Sequence, residues 1–185
     1  MADGGRTYLL VDGENIDATL GGDILGHRPS QEERPRWGRL LTFIEQRWGQ
    51  SVTGLFFLAV KGELPVPFVQ ALVALGFRPV PLSGPAQAKV VDIAIKRTLE
   101  ALVDLPGDVV LASHDGDFLP ELEKVLDGRR VATVGFPEFR NRGFAALADR
   151  GVEFWDLEHD VAAFNIPLPR VRVIPIEEFD PLDFL

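Results

Sequence analysis

Asp108-Val-Val-Leu-Ala-Ser-His-Asp-Gly-Asp-Phe-Leu119 is an apolar run that ends abruptly in two carboxylates, Asp115 and Asp117. Val109 to Ala112 are apolar without alternation. That is how a strand covered on both faces reads, as in a parallel sheet with helices above and below. Ser113, Asp115 and Asp117 fall where this strand gives way to a helix predicted over Phe118–Leu126, which Asp117 is placed to cap. Ligands of open α/β sheets bind at that end of the strands. Two acids one residue apart are costly unless something positive sits between them. Whether other segments send carboxylates to the same place decides the chemistry.

Tyr8–Val11 is a second apolar run and stops at Asp12-Gly-Glu-Asn15. It reads as a central first strand, a tight turn and a helix start that Asn15 or Asp17 can cap. Gly21-Gly22 and the polar stretch from His27 to Arg36 read as a loop, with a basic cluster at Arg28, Arg34, Arg36 and Arg39. Trp37, Leu40, Leu41, Ile44 and Trp48 then recur at helical spacing. Val52–Val60 is another buried strand, ended by Lys61-Gly62. A helix opened by Pro65 or Pro67 runs to Leu75 and is closed by Gly76. Phe77–Pro81 is a short strand whose prolines suit a sheet edge.

Lys89–Val103 is a helix with Val91, Ile95, Leu99 and Leu102 facing inward and Asp92 near its first turn. Arg130–Val134 is a strand, Asn141–Arg150 a helix and Val152–Trp155 a last short strand. Strands alternating with helices at this rhythm predict an α/β fold with a doubly wound parallel sheet. Residues 6–164 read as one domain. Residues 165–185 form a Pro-rich tail of alternating apolar and acidic residues, an extension with no core of its own.

With 46% hydrophobic and 25% charged residues, the 185-residue chain has the balance of a globular domain that can bury a full core. It contains no cysteine, which excludes disulfides and thiolate metal sites. No apolar run reaches membrane-spanning length, and Met1–Arg6 lack a basic-then-apolar signal, so the expectation is a cytoplasmic protein without a membrane partner. The net charge of −9 argues superficially against nucleic acid. Seven acids and two arginines lie in residues 156–185, leaving 21 acids against 17 bases in the body. If four of those acids hold a cation, the body is balanced.

Three strand–helix junctions thus carry acids: Asp12, Asp92, and the pair Asp115/Asp117. Each has a plain reading, as a turn residue, a first-turn acid on the helix dipole, or a cap. Their coincidence is what points to a site. Right-handed crossovers bring neighbouring strand ends together, and a hard divalent cation, Mg²⁺ or Mn²⁺, relieves the repulsion of clustered carboxylates. Asn15 offers a neutral oxygen or a hydrogen bond, and Ser113 can bond to one of the ligating carboxylates. Lys89 and Lys96 flank Asp92 and, with Arg36 and Arg39, are candidate contacts to a phosphate backbone. The His114 side chain is expected to point away from the site. Trp37, Trp48, Phe56 and Phe57 read as core.

The chain resembles the NYN domain family, a branch of the PIN-like nuclease superfamily. The resemblance rests on Val11-Asp-Gly-Glu-Asn15, Lys89-Val-Val-Asp92 and Ser113-His-Asp-Gly-Asp-Phe118, with Arg130–Phe136 as the following strand, and spans roughly residues 6–156. It implies a five-stranded parallel sheet in the order 3-2-1-4-5, with Asp12, Asp92, Asp115 and Asp117 as metal ligands and Asn15 beside them. It also implies metal-dependent cleavage of RNA. The expected activity is hydrolysis of single-stranded RNA by an endoribonuclease through a water activated by Mg²⁺ or Mn²⁺.

A second reading is a catalytically weak regulator acting through partners or a homo-oligomer. Phe179–Leu185 has the look of a docking segment, and Arg170-Val-Arg-Val-Ile174 can add a strand to a sheet edge. Aspartyl phosphotransfer of the haloacid-dehalogenase type is disfavoured, because Asp12-Gly-Glu-Asn-Ile16 lacks its second aspartate two residues on. A Rossmann cofactor site is disfavoured too, since no Gly-x-Gly-x-x-Gly follows the first strand.

Overall fold

Apolar runs too short for helices and too continuous for a half-exposed sheet form the centre of the molecule. The computed structural model describes residues 5–171 and 173–185. Residues 1–4 of the Met1–Arg6 stretch read for a signal, and Arg172 of the strand-adding segment, lie outside the described residues. Its strands are β1 (Arg6–Asp12), β2 (Ser51–Ala59), β3 (Arg78–Leu82), β4 (Asp108–Ala112), β5 (Val131–Gly135) and β6 (Glu153–Asp156). All pair in parallel, in the order β3-β2-β1-β4-β5-β6. The five strands implied by the resemblance keep their order, and the last short strand expected at Val152–Trp155 joins them as β6 beside β5, in register Val134↔Trp155.

The helices are α1 (Gly13–Ala18), α2 (Trp37–Trp48), α3 (Val66–Ala74), α4 (Val90–Leu102), α5 (Leu119–Val125) and α6 (Ala145–Ala148). Strand alternation sorts the core into two layers. Leu9, Val11, Val110, Ala112, Ala132 and Val134 pack with Ile16, Leu40, Ile44 and Leu72 from α1, α2 and α3. Leu10, Val109, Leu111 and Val131 pack with Ile95, Leu99, Leu122 and Leu147 from α4, α5 and α6. Trp37, Trp48, Phe56 and Phe57 are buried, as their spacing suggested. Each layer follows from which side of the pleat a residue occupies.

Local corrections have local causes. The first helix is capped by Asp12, whose carboxylate accepts from Asn15 N, not by Asn15 or Asp17. Gly21-Gly22 is not loop: Thr19–Leu25 continues α1 as a π-helix, which ends at Gly26 in the left-handed region. Asp115, not Asp117, caps the turn after β4, accepting from Asp117 N at 2.9 Å. The helix expected over Asn141–Arg150 shrinks to a 3₁₀ turn and the four residues of α6, because the Asn141 side chain bonds Gly143 N and starts a new turn. Strand β3 lies at an edge and carries Pro79 and Pro81.

The end of the fold is fastened by one side chain. The Arg170 side chain, only 3% exposed, meets Glu138, Asp156 at 2.8 Å and Glu158 at 3.0 Å, and lies over the Phe136 ring. Burial alone would raise the Asp156 carboxyl, but its bonds with Arg170 hold it below the usual range. Removing one partner of a buried ion pair leaves the others uncompensated. Arg170→Met is expected to lower stability by about 3–5 kcal/mol in urea denaturation. Changing Glu138, Asp156 and Glu158 to neutral isosteres in the same chain should recover part of that loss.

Candidate functional site

Strand pleat decides which way each junction residue faces. Asp12 shares the face of Leu10, and Ser113 continues the face of Leu111, so both turn toward the layer of α4. They meet there: Ser113 Oγ donates to Asp12 Oδ2 at 2.9 Å and accepts from Asp115 N at 3.2 Å. Asp92 stands in the first turn of α4, with Lys89 Nζ 3.6 Å from its carboxylate. Carboxylate oxygens of Asp92, Asp115 and Asp117 lie within 4.8 Å of one another. Asp12 is set back from these three and nearly closed to solvent, at 2% exposure.

An open cleft of about 400 Å³ is lined by Asp12, Asn15, Asp92 and Asp115, with Glu14, Lys61 and residues 86–91, Lys89 among them, around these four. Asp117 is exposed beside it. Glu14 and Lys61 were not singled out from sequence. Glu14 Oε1 accepts from Ala59 N at 3.2 Å, joining α1 to the end of β2. Lys61 follows β2, the neighbour of β1, so the strand-end argument applied to Asp12 reaches it too. Lys96 and Arg36 are not among the lining residues, nor is Arg39, whose guanidinium bonds Ala162 O, Phe164 O and Asn165 Oδ1.

His114 continues the opposite face, that of Ala112, and points inward. It is buried, stacks on Phe136 at 5.7 Å, and accepts from Phe136 N through Nε2 at 2.7 Å. Its main-chain N donates to Asn15 Oδ1 at 2.8 Å, and its Nδ1 lies 3.0 Å from the same oxygen. Burial first, then the nearby Arg140 and Arg170 charges, pushes its pKa down to about 4. The ring is therefore neutral at pH 7.

Three carboxylates at this separation, faced among the described residues by the one ion-paired ammonium of Lys89, are held together against their repulsion by the fold. All donors at the cluster are carboxylate oxygens, the set a hard divalent cation takes, so the residues fit such an ion. Asp12 registers the strain. Burial, with smaller contributions from Asp92 and Asp115, raises its pKa to about 6 despite the Ser113 and Asn15 bonds.

The sign of the pH effect follows. A carboxyl whose folded pKa exceeds its unfolded value favours the fold below pH 4 and loses that contribution as pH rises through 6. At pH 7 the ionised Asp12 thus costs the cation-free protein about 3 kcal/mol. Asp12→Asn is expected to raise the melting temperature in chelator at pH 7 by several degrees, and to leave it nearly unchanged at pH 4. Thermal melts at the two pH values check this, and equal shifts at both would contradict it.

The comparisons with known proteins agree with this architecture. A solved structure from Vibrio parahaemolyticus, described only as a protein of unknown function, superposes with a TM-score of 0.66 at 17% identity, covering 86% of this chain and 97% of that one. At that identity the likeness speaks for the fold alone. No protein with a curated description matches. Among the described residues no helix is long and apolar enough to cross a membrane. The NYN domain profile matches residues 6–156, from the first residue of β1 to the last of β6. The chain therefore belongs to the NYN domain family, a family of PIN-like nucleases that generally act on RNA.

Proposed function

We propose that this protein is a metal-dependent endoribonuclease that hydrolyses single-stranded RNA at the cleft beside β1, β4 and α4. The observation that carries the reading is the cluster of Asp92, Asp115 and Asp117 at the strand ends, beside a cleft bordered by Lys61 and Lys89. Asp92, Asp115 and Asp117 would hold Mg²⁺ or Mn²⁺, with Asp12 close behind. When bound, such a cation lowers the pKa of water and neutralises charge developing on the phosphate.

The chain's own residues do the rest. Asp12 receives the Ser113 hydroxyl, and Ser113 receives Asp115 N, so a relay of two hydrogen bonds fixes the backbone that carries Asp115. Lys61 and Lys89 offset the negative field of the acids for an approaching polyanion, sequence-independent contacts that position the backbone. The cleft is open to solvent, which suits internal cleavage better than trimming from an end.

The test is cleavage of an unstructured RNA with free ends blocked. Wild-type protein with Mn²⁺ or Mg²⁺ should cut internally, chelator should stop it, and Asp115→Asn or Asp92→Asn should lower the rate by at least about 10²-fold. Equal cleavage by wild type and Asp115→Asn would sink the reading.

A specific observation also favours the regulatory alternative. Val171, Val173, Ile176, Leu182 and Leu185 are each more than three-quarters exposed, along with Phe179 and Phe184. An apolar run of that exposure suits a segment that docks on another chain. Removing residues 173–185 leaves the Arg170 clamp intact. The deletion should leave RNA cleavage unchanged while altering any self-association seen by sedimentation; unchanged association would count against a docking role.

A further inference from the structure

Asn15 lines the cleft with Asp12, Asp92 and Asp115. What it offers there depends on which end of its amide faces inward, because the oxygen only accepts and the nitrogen only donates. His114 decides this. A main-chain N–H can only donate, so Nε2, which receives Phe136 N at 2.7 Å, carries no proton. In the neutral ring the proton is then on Nδ1, which faces Asn15 at 3.0 Å and, less closely, the Thr19 hydroxyl at 3.3 Å. A second donor, His114 N, reaches the same atom at 2.8 Å. Two donors converge on one amide end, which must be Oδ1; turning the amide over would set NH₂ against two N–H groups.

We infer that His114 is a positioning residue that fixes the Asn15 amide with its oxygen inward, so that Asn15 presents an N–H donor, not a metal-ligating oxygen, to the acidic cleft. Among the described residues no acceptor is within bonding distance of Asn15 Nδ2, and this nitrogen is not sealed from solvent. It is a free donor beside three carboxylates. Its complement is an anionic oxygen of the substrate, such as a non-bridging phosphate oxygen, or the lone pair of an attacking water. The neutral-oxygen role considered from sequence is thereby excluded for Asn15. Gly135 belongs to the same device: a Cβ there would stand 2.5 Å from His114 Nε2, so only glycine lets the ring reach Phe136 N.

The phosphate role rests on the nuclease reading, whereas the amide orientation does not, and the experiment separates them. Nitrogen-15 spectra of the histidine rings should show His114 as the Nδ1–H tautomer; an Nε2–H ring overturns the inference whether or not the protein cuts RNA. Mn²⁺ titration of Asn15→Ala should give an affinity close to wild type, since an oxygen ligand would cost about tenfold or more. Such a loss of affinity overturns the inference.

In the cleavage assay Asn15→Asp keeps both inward bonds but replaces the donor with an acceptor, and kcat should fall about 10²-fold. Retained kcat overturns the donor role. His114→Gln keeps an acceptor toward Phe136 but loses the donor to Asn15, and should lose kcat with little change in KM. His114→Asn, whose amide nitrogen overlies ring Nδ1, should recover most of that kcat. A merely structural His114 would give the reverse order, with His114→Gln the better enzyme, and that result overturns the inference. If wild type shows no cleavage, the nuclease reading fails, and the tautomer and the Mn²⁺ affinities decide the orientation alone.

Discussion

The bond from Ser113 Oγ to Asp12 Oδ2 joins two strand ends 101 positions apart in the chain, and it exists only because β1 and β4 are neighbours. That adjacency is where the sheet changes direction: the chain builds outward from β1 through β2 to β3, then returns to β4 on the other side. The helices leaving the two sides cannot both cover the crevice between β1 and β4. Everything in the cleft depends on that gap. Asp12 and Ser113 face one layer and His114 the other, so a single pair of strand ends supplies Asp12 and the Asp115 segment on one side, where Asp92 of α4 joins them, and the positioning ring on the other.

The scaffold also explains how acids can be held so close. Two of them, Asp12 and Asp115, are anchored by backbone donors that were already needed to start a helix. Asp12 caps α1 and Asp115 caps the turn after β4, so the same carboxylates that crowd the cleft satisfy the orphan N–H groups of helix starts. A tail arginine is used in the reverse sense elsewhere in the molecule: Arg170 brings one positive charge to three acids from separate segments. At Arg170 the compensating charge is buried and bonded to all three acids. At the cleft the fold compensates its acids only partly, with the Lys89 ammonium near Asp92.

What was legible in the sequence was whatever is carried by a run of like residues. The buried strands announce themselves as continuous apolar stretches, and the acids at their ends follow by position. Residues whose role needs two distant segments were not legible. The inward turn of His114 requires an empty position at Gly135 on the next strand and a main-chain donor at Phe136. Arg170 reads as an ordinary tail residue until Glu138, Asp156 and Glu158 are seen around it. The π-helix over Thr19–Leu25 was hidden because Gly21-Gly22 signals a loop, while Leu20 and Gly21 are in fact buried. Caps were misassigned by one turn, since Asp12 was considered as ligand or turn residue and not as the helix start itself.

The two prolines of β3 bear on how the molecule behaves in a crowd. Parallel pairing with β2 uses one rim of β3, and Pro79 and Pro81, two residues apart, share an orientation along the strand. Their nitrogens carry no hydrogen, so they belong on the outward rim, where no pairing is made. That rim therefore offers acceptors without the matching donors, and a stray strand from a nascent or unfolded chain finds no ladder to continue. At this boundary the sheet is terminated by covalent chemistry and needs no covering element, so high local concentration should not propagate it edge to edge.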